Sequence, residues 1–224
     1  MSLLDNLVAY YKYNANANDS TANAYNWTAW GWISFSNAWK IDNCATFPWD
    51  NTQITYPDTL EAQLWWAFTY AAWFKFWTWF NMQRCCVWTW WKLNILIAFD
   101  SSANKLYMYR WNWSWTQWWE VSASISWLWT DRHHFAVTQT WTTVAMYKDG
   151  SALSSSGSIW QTWWVSNQTL QSWFYNNYWT YNWYLDEFWV WNRALSAAEV
   201  SALYNWWAWL AYPFSSFVPK IMMF

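Results

Sequence analysis

Glycine is almost missing from this chain, which has three in 224 residues. Average usage would supply roughly 16, and a strand-rich chain needs them, because tight primed hairpin turns require φ > 0. Charge is scarce too. Charged residues make up 11% and the formal net charge is −2, with no basic stripe, which excludes the electrostatic footprint of a nucleic-acid binder. The cleanest apolar run, Leu93 to Phe99, falls far short of the ~18 residues of a membrane span. The opening MSLLDNLVAYYKY lacks a positive segment followed by an apolar one, so no cleaved secretory signal is expected. Histidine occurs only as the neighbours His133 and His134, and there is no G-x-S-x-G elbow, H-E-x-x-H helix or phosphate loop. Cys44, Cys85 and Cys86 lack metal-ligand spacing; they leave open one bridge from Cys44 with a free third thiol, or three buried thiols.

Tryptophan fills the space that glycine leaves, with 32 residues. Asn-Trp occurs at 26–27, 112–113, 182–183 and 205–206, and Trp pairs occur at 65–66, 90–91, 118–119, 163–164 and 206–207. With glycine in place of tryptophan each Asn-Trp becomes an ordinary turn, whereas a bulky Trp at φ > 0 is an outlier. We read most of these tryptophans as occupying glycine positions, and Ala15, Ala17, Ala22 and Ala24 as a parallel case. Trp73, Trp88, Trp127 and Trp191 lie inside predicted strands and fit there as they stand.

Period-two alternation dominates the rest. Leu7–Tyr13 reads as the first strand, followed by a turn-rich polar loop to Asn26. Short strands are predicted near Ile33–Phe35, Ala45–Phe47 and Gln53–Tyr56. The strongest is Ala67–Phe76, with Phe68, Tyr70, Ala72, Phe74 and Phe76 on one face. Cys85–Thr89, Leu93–Phe99 and Lys105–Arg110 follow, while Trp111–Trp119 resists assignment. His133–Thr140, Thr143–Lys148 and Ser151–Leu153 form a meander whose Asp149-Gly150 turn is the best hairpin signal. Ser154–Trp164 reads as loop, and Gln168–Tyr175 as a strand. In Tyr184–Trp191 the alternation places Asp186 and Glu187 on opposite faces. Ser196-Ala197-Ala198-Glu199 is then a capping box opening a helix of about two turns. No internal repeat occurs. The expected fold is all-β, roughly a dozen strands with one short C-terminal helix, over residues 1–213, with an apolar tail at 214–224.

The run from Asp186 to Val200, DEFWVWNRALSAAEV, resembles the closing signature of the laminin G-like (concanavalin A-like) jelly-roll family. Three further stretches are similar to that family in matching order: the Asp19-Ser20-Thr21 loop, the Ala67–Phe76 strand, and His134–Gly150. Phe47–Pro57 is similar as well, with Trp49 where the family has glycine, and Arg132 stands near a usual tryptophan. The resemblance covers about residues 7 to 205 and implies a jelly-roll β-sandwich. It also implies calcium at a loop rim, with Asp19 and Asp186 as candidate ligands; the plainer role for Asp19 is capping of its own turn, and for Asp186 a structural hydrogen bond.

For glycans, the loop Tyr175-Asn176-Asn177-Tyr178 offers aromatic faces beside amides without relying on tryptophan. Catalysis finds no support: none of Glu61, Glu120, Glu187 and Glu199 has a second carboxylate two residues away, the spacing a retaining glycosidase would favour on a strand. The reading is therefore a non-enzymatic surface or adhesion module. Its fold usually works outside cells, and no export signal is seen. A phage virion protein (decoration, fibre or spike), facing other virion subunits and host glycans, reconciles the two. The ending NWWAWLAYPF, read with glycine for tryptophan, resembles phage-type members of the family. The alternatives are a secreted calcium-dependent carbohydrate-binding module and a glycosidase of the same sandwich class.

The glycine reading has a direct physical check. Intact mass of protein from its natural source is expected to fall below the 27.4 kDa of the written chain, by more than about 1.5 kDa if the glycine shortfall is made up. Agreement with 27.4 kDa means the tryptophans are real.

Overall fold

A computed structural model describes residues 2–38, 42–47, 53–55, 60, 64, 67–76, 83–86, 96–100, 103–111, 118–125, 131–159, 171–173 and 183–206. Its strands are β1 (Leu7–Tyr11), β2 (Thr28–Trp30), β3 (Ser34–Ala38), β4 (Asn43–Phe47), β5 (Gln53–Thr55), β6 (Ala67–Phe76), β7 (Gln83–Cys86) and β8 (Leu96–Asp100). They continue as β9 (Lys105–Trp111), β10 (Trp118–Ser124), β11 (His133–Thr140), β12 (Thr143–Lys148), β13 (Ser151–Ala152), β14 (Ser155–Ser158), β15 (Gln171–Trp173) and β16 (Trp183–Trp191). One helix, α1, spans Ala197–Trp206. An eight-stranded sheet runs β13-β12-β11-β6-β16-β4-β3, with β1 also on β16; a five-stranded sheet runs β14-β10-β9-β8-β7, and a small one β15-β5-β2. The chain is an all-β sandwich with one C-terminal helix, as its alternation predicts, with sixteen described strands rather than a dozen.

The alternation of β6 explains why two layers of apolar side chains form. Phe68, Tyr70, Ala72 and Phe74 enter the main core, where they meet Phe99, Leu106, Met108, Val121 and Ala123 of the five-stranded sheet. The intervening Ala71 and Trp73 enter a second cluster on the opposite face, with Tyr10, Trp189, Trp191 and the helix residues Val200 and Leu203. Each large side chain buried this way contributes about 1.5–3 kcal/mol. β6 and β11 pair without interruption from Phe74↔His133 to Ala67↔Thr140, which fixes both faces at once.

The helix begins as its capping box requires. Glu199 N–H donates to Ser196 Oγ at 3.3 Å, and Ser196 N–H donates to Glu199 Oε2 at 2.8 Å. Ten residues follow rather than two turns, because Val200 and Leu203 gain a sheet face to pack on.

Several segments differ from expectation, among them β2, β10 and β14. Ser155–Ser158, read as loop, is the edge strand β14, exposed along its length and held by backbone pairing to β10 alone, so no hydrophobic period announces it. Gly157, at φ +106°, allows it: a Cβ there would lie 2.0 Å from the Glu120 carbonyl oxygen. β10 runs to Ser124, and its Val121 and Ala123 are buried while Glu120 and Ser124 are exposed. Cys44 is a free, buried thiol.

The turn from β11 to β12 places Trp141 at φ 53°, with the side chain 57% exposed. A residue with a Cβ pays roughly 1–2 kcal/mol for that conformation, and more than half of the Trp141 surface stays open to solvent. In protein synthesised with Trp at this position, Trp141→Gly is expected to stabilise the fold by about 1 kcal/mol, seen as a higher Tm. An unchanged or lower Tm would show that the turn accepts tryptophan.

Candidate functional site

Strand β16 pairs with β6 along one edge. On its other edge it pairs first with β4, from Trp183↔Phe47 to Leu185↔Ala45, and then with β1, from Phe188↔Tyr11 to Trp191↔Leu7. The change of partner falls at Asp186-Glu187, where the ladder to β6 also shifts register and Glu187 adopts φ 50°. A bulge of this kind re-aims side chains. The expectation that the two carboxylates face opposite sides is thereby overturned: Leu185 enters the main core, but Asp186 sits opposite Trp73 and Glu187 meets the Tyr10 hydroxyl, both on the helix-covered face.

Both carboxylates are closed off, at 1% and 5% exposed. The Tyr10 hydroxyl donates to Glu187 Oε2, and the Tyr10 ring stacks on Trp189 at 5.2 Å and 4°. Among the described residues no side chain donates to either oxygen of Asp186. Burial raises the Asp186 pKa first and the neighbouring Glu187 charge second, against the opposing pull of the Glu187 backbone N–H and then of Arg132. Burial also raises Glu187, with Asp42 adding to it, while the Tyr10 hydrogen bond and Lys12 hold it back. Cys44 lies within reach of the same field, its thiol pushed up to about 12 by burial and then by Asp186. His134 is fully buried, its ring nitrogens without a hydrogen-bond partner among the described residues and its ring centroid 5.3 Å from that of Trp73 and 6.1 Å from that of Tyr204, and burial pushes it down to about 4. Two adjacent carboxyls whose pKa values are both raised have the make-up of an acid–base pair, but both are buried beneath the surface, at 1% and 5% exposure.

Asp19 plays a different part. Its Oδ1 accepts from Tyr10 N–H at 3.0 Å and Thr21 N–H at 2.9 Å; its Oδ2 accepts from Thr21 Oγ1 at 2.8 Å and Tyr25 N–H at 3.0 Å. The carboxylate closes its own loop, and every lone-pair direction is used. Among the described residues no three His, Cys, Asp or Glu gather in a metal-holding group. Asp19, saturated as it is, does not fit the role of calcium ligand. The candidate glycan loop Tyr175, Asn176, Asn177 and Tyr178 lies outside the described residues. His133 Nδ1 pairs with Asp149 Oδ2 at 2.8 Å and His134 N–H donates to Asp149 Oδ1 at 2.9 Å, so this histidine pins the following turn.

The buried carboxylates make stability depend on pH in a defined direction. A carboxyl whose folded pKa is raised contributes stability in full below its unfolded value, roughly pH 4, and loses it as pH rises through the folded value. A histidine lowered in the fold acts oppositely, losing its contribution as pH falls from about 6.5. Between that pH and roughly 8, below the range in which the raised Cys44 thiol and Tyr10 hydroxyl begin to act, the carboxylates dominate. Tm is expected to decline from neutral toward alkaline pH, and Asp186→Asn to flatten the decline. A variant that declines as steeply as the unaltered protein would show that Asp186 ionises without penalty.

No protein-family model matches the chain, and no curated protein matches it. Solved structures do. The binding domain of botulinum neurotoxin DC in complex with rat synaptotagmin II is similar at 12% identity and TM-score 0.72, over 92% of this chain and 52% of that one. The receptor binding domain of the botulinum neurotoxin C/D mosaic serotype gives 10% identity and TM-score 0.75, over 90% and 51%. A third, titled for the dependence of botulinum neurotoxin type C cell entry on two ganglioside molecules, gives 11% and 0.71, over 91% and 52%. The chain thus spans about half the length of the structures it matches, and what it shares with them is the β-sandwich fold.

Proposed function

We propose that this chain is a non-enzymatic glycan-binding module of a surface assembly. The observation that carries the reading is the shared sandwich: over nine-tenths of its length the chain follows neurotoxin domains that bind receptors, one of them from a toxin whose cell entry depends on gangliosides. The carboxylate pair at Asp186 and Glu187 supports the non-enzymatic half, since both are sealed beneath Tyr10 and Trp189. On this reading calcium has no place at Asp19, whose loop is already closed by protein donors. The assembly we favour is a phage virion, as a decoration, fibre or spike subunit with a jelly-roll scaffold of the laminin G-like type, placed on the virion surface or otherwise outside the cell. That context rests on the sequence resemblance of residues 7–205 and of the ending NWWAWLAYPF.

A glycan array probed with the whole chain tests the reading. Binding to a defined subset of glycans is expected, unchanged by EDTA and without release of reducing sugar. Absence of binding above background, or turnover of a bound oligosaccharide, would overturn it. Electron microscopy of source material labelled with antibody to the chain should decorate particles; label confined to free protein would remove the virion context.

A further inference from the structure

The outward face of the five-stranded sheet carries a constellation with no part in the core. In β9, Leu106 and Met108 are fully buried in the core, and Tyr107 and Tyr109 alternate to the other side. Their rings stack at 5.3 Å and 13°, and the Lys105 ammonium lies 5.8 Å from the Tyr107 centroid. Register sets Tyr109 opposite Glu120 on β10 and Lys105 opposite Asp100 on β8, so a carboxylate borders the tyrosine pair on each neighbouring strand. Burial first, then the charges of Asp100 and Glu120, raise the Tyr107 hydroxyl pKa, which places both carboxylates within electrostatic reach of it. One strand further out, Ser158 stands beside Glu120 and Ser156 beside Ser122. Tyr107, Tyr109 and Asp100 are half-buried; Glu120, Ser156 and Ser158 are exposed.

Near-parallel phenol rings along a strand offer flat, π-rich faces to the C–H face of a pyranose ring. Carboxylates at the border accept from sugar hydroxyls in charge-assisted hydrogen bonds, and serine hydroxyls extend the polar rim. The same carboxylates repel an acidic sugar, a like-charge contact that costs affinity. We propose that this face takes a neutral glycan of hexose or N-acetylhexosamine units across Tyr107 and Tyr109, with Glu120 as hydroxyl acceptor and Asp100, whose Oδ1 accepts from Ala103 N–H at 3.0 Å, contributing negative charge at the border. The inference rests on the glycan-binding reading above and names its site and ligand class.

The test uses the whole chain against cellotriose, chitotriose, N-acetyllactosamine and sialyllactose. The unaltered protein is expected to bind at least one neutral oligosaccharide and not to prefer sialyllactose over lactose. Tyr109→Ala and Glu120→Gln should each weaken that binding by about tenfold at an unchanged Tm, while Tyr109→Phe, which keeps the ring, retains most of it. Should Tyr109→Ala fail to fold, the exposed Glu120→Gln decides alone. Neutral-glycan binding that both variants leave intact overturns the site and spares the glycan-binding reading, as does a preference for sialyllactose. Binding of no glycan by the unaltered protein overturns both.

Discussion

Strand β16 carries hydrogen-bond ladders to three strands, β6 on one edge and β4 then β1 on the other. Backbone donors and acceptors in a buried strand must all be paired, so the two partners sharing one edge have to meet end to end without leaving a gap. β4 arrives at Ala45 and β1 leaves at Tyr11, and the strand between them accommodates the junction with a bulge at Asp186-Glu187. The cost is electrostatic: two carboxylates end on one buried face, one of them at positive φ. The Tyr10 hydroxyl offsets part of it by donating to Glu187, and protonation offsets more, since desolvation and mutual repulsion both favour the neutral form of Asp186. The sheet's continuity outweighs the charges it buries.

The residues after the bulge fasten the N-terminal turn to the last helix. Trp191 Nε1–H donates to the Leu3 carbonyl at 2.8 Å, and Arg193 donates to the carbonyls of Asp5 at 2.9 Å and Ser2 at 3.0 Å. The same guanidinium pairs with Glu199 at 2.8 Å, and that contact holds the Glu199 carboxyl down to about 2. Glu199 thus caps the helix and anchors the arginine together. Thr69 of β6 completes the seam, donating to the Arg193 carbonyl at 2.8 Å and accepting from Leu195 N–H at 2.9 Å. The motif Trp191-Asn192-Arg193-Ala194-Leu195-Ser196 is therefore a closure device. Its presence speaks for a sandwich whose ends are joined and is silent about ligand, which is why a fold can be read from it and a function cannot.

What could be read in advance follows the physics of each element. β6, β11 and β12 were legible to the residue because their inner faces alternate strictly and the Asp149-Gly150 turn fits a hairpin. The capping box announced the helix start, though its length depended on a sheet face that no local pattern reveals. β14 was invisible, since four exposed residues held only by backbone pairing carry no hydrophobic signal. The bulge was invisible for a related reason: Asp and Glu alternate correctly in sequence, and only the junction of β4 with β1 forces them to one side. The turn-capping role of Asp19 was legible in the sequence and is met by the Thr21 N–H and hydroxyl, while its further donors, the N–H groups of Tyr10 and Tyr25, appear only once the loop is closed.

The two sheets differ in what they leave available. The outer face of the eight-stranded sheet is committed: Trp73, Trp189, Trp191 and His134 lie under or beside α1, and the polar groups among them are sealed. The five-stranded sheet instead turns tyrosines, two carboxylates and serines outward at positions its core does not need. At 10–12% identity to its structural neighbours, the chain keeps the alternation that builds a sandwich, while its surface side chains are free to differ. Core positions such as Leu106 and Met108 are constrained by volume, and Tyr107 and Tyr109 are not. Tyr107 and Tyr109 stabilise the strand they stand on by stacking on each other, and on the proposal above the same pair also receives the ligand.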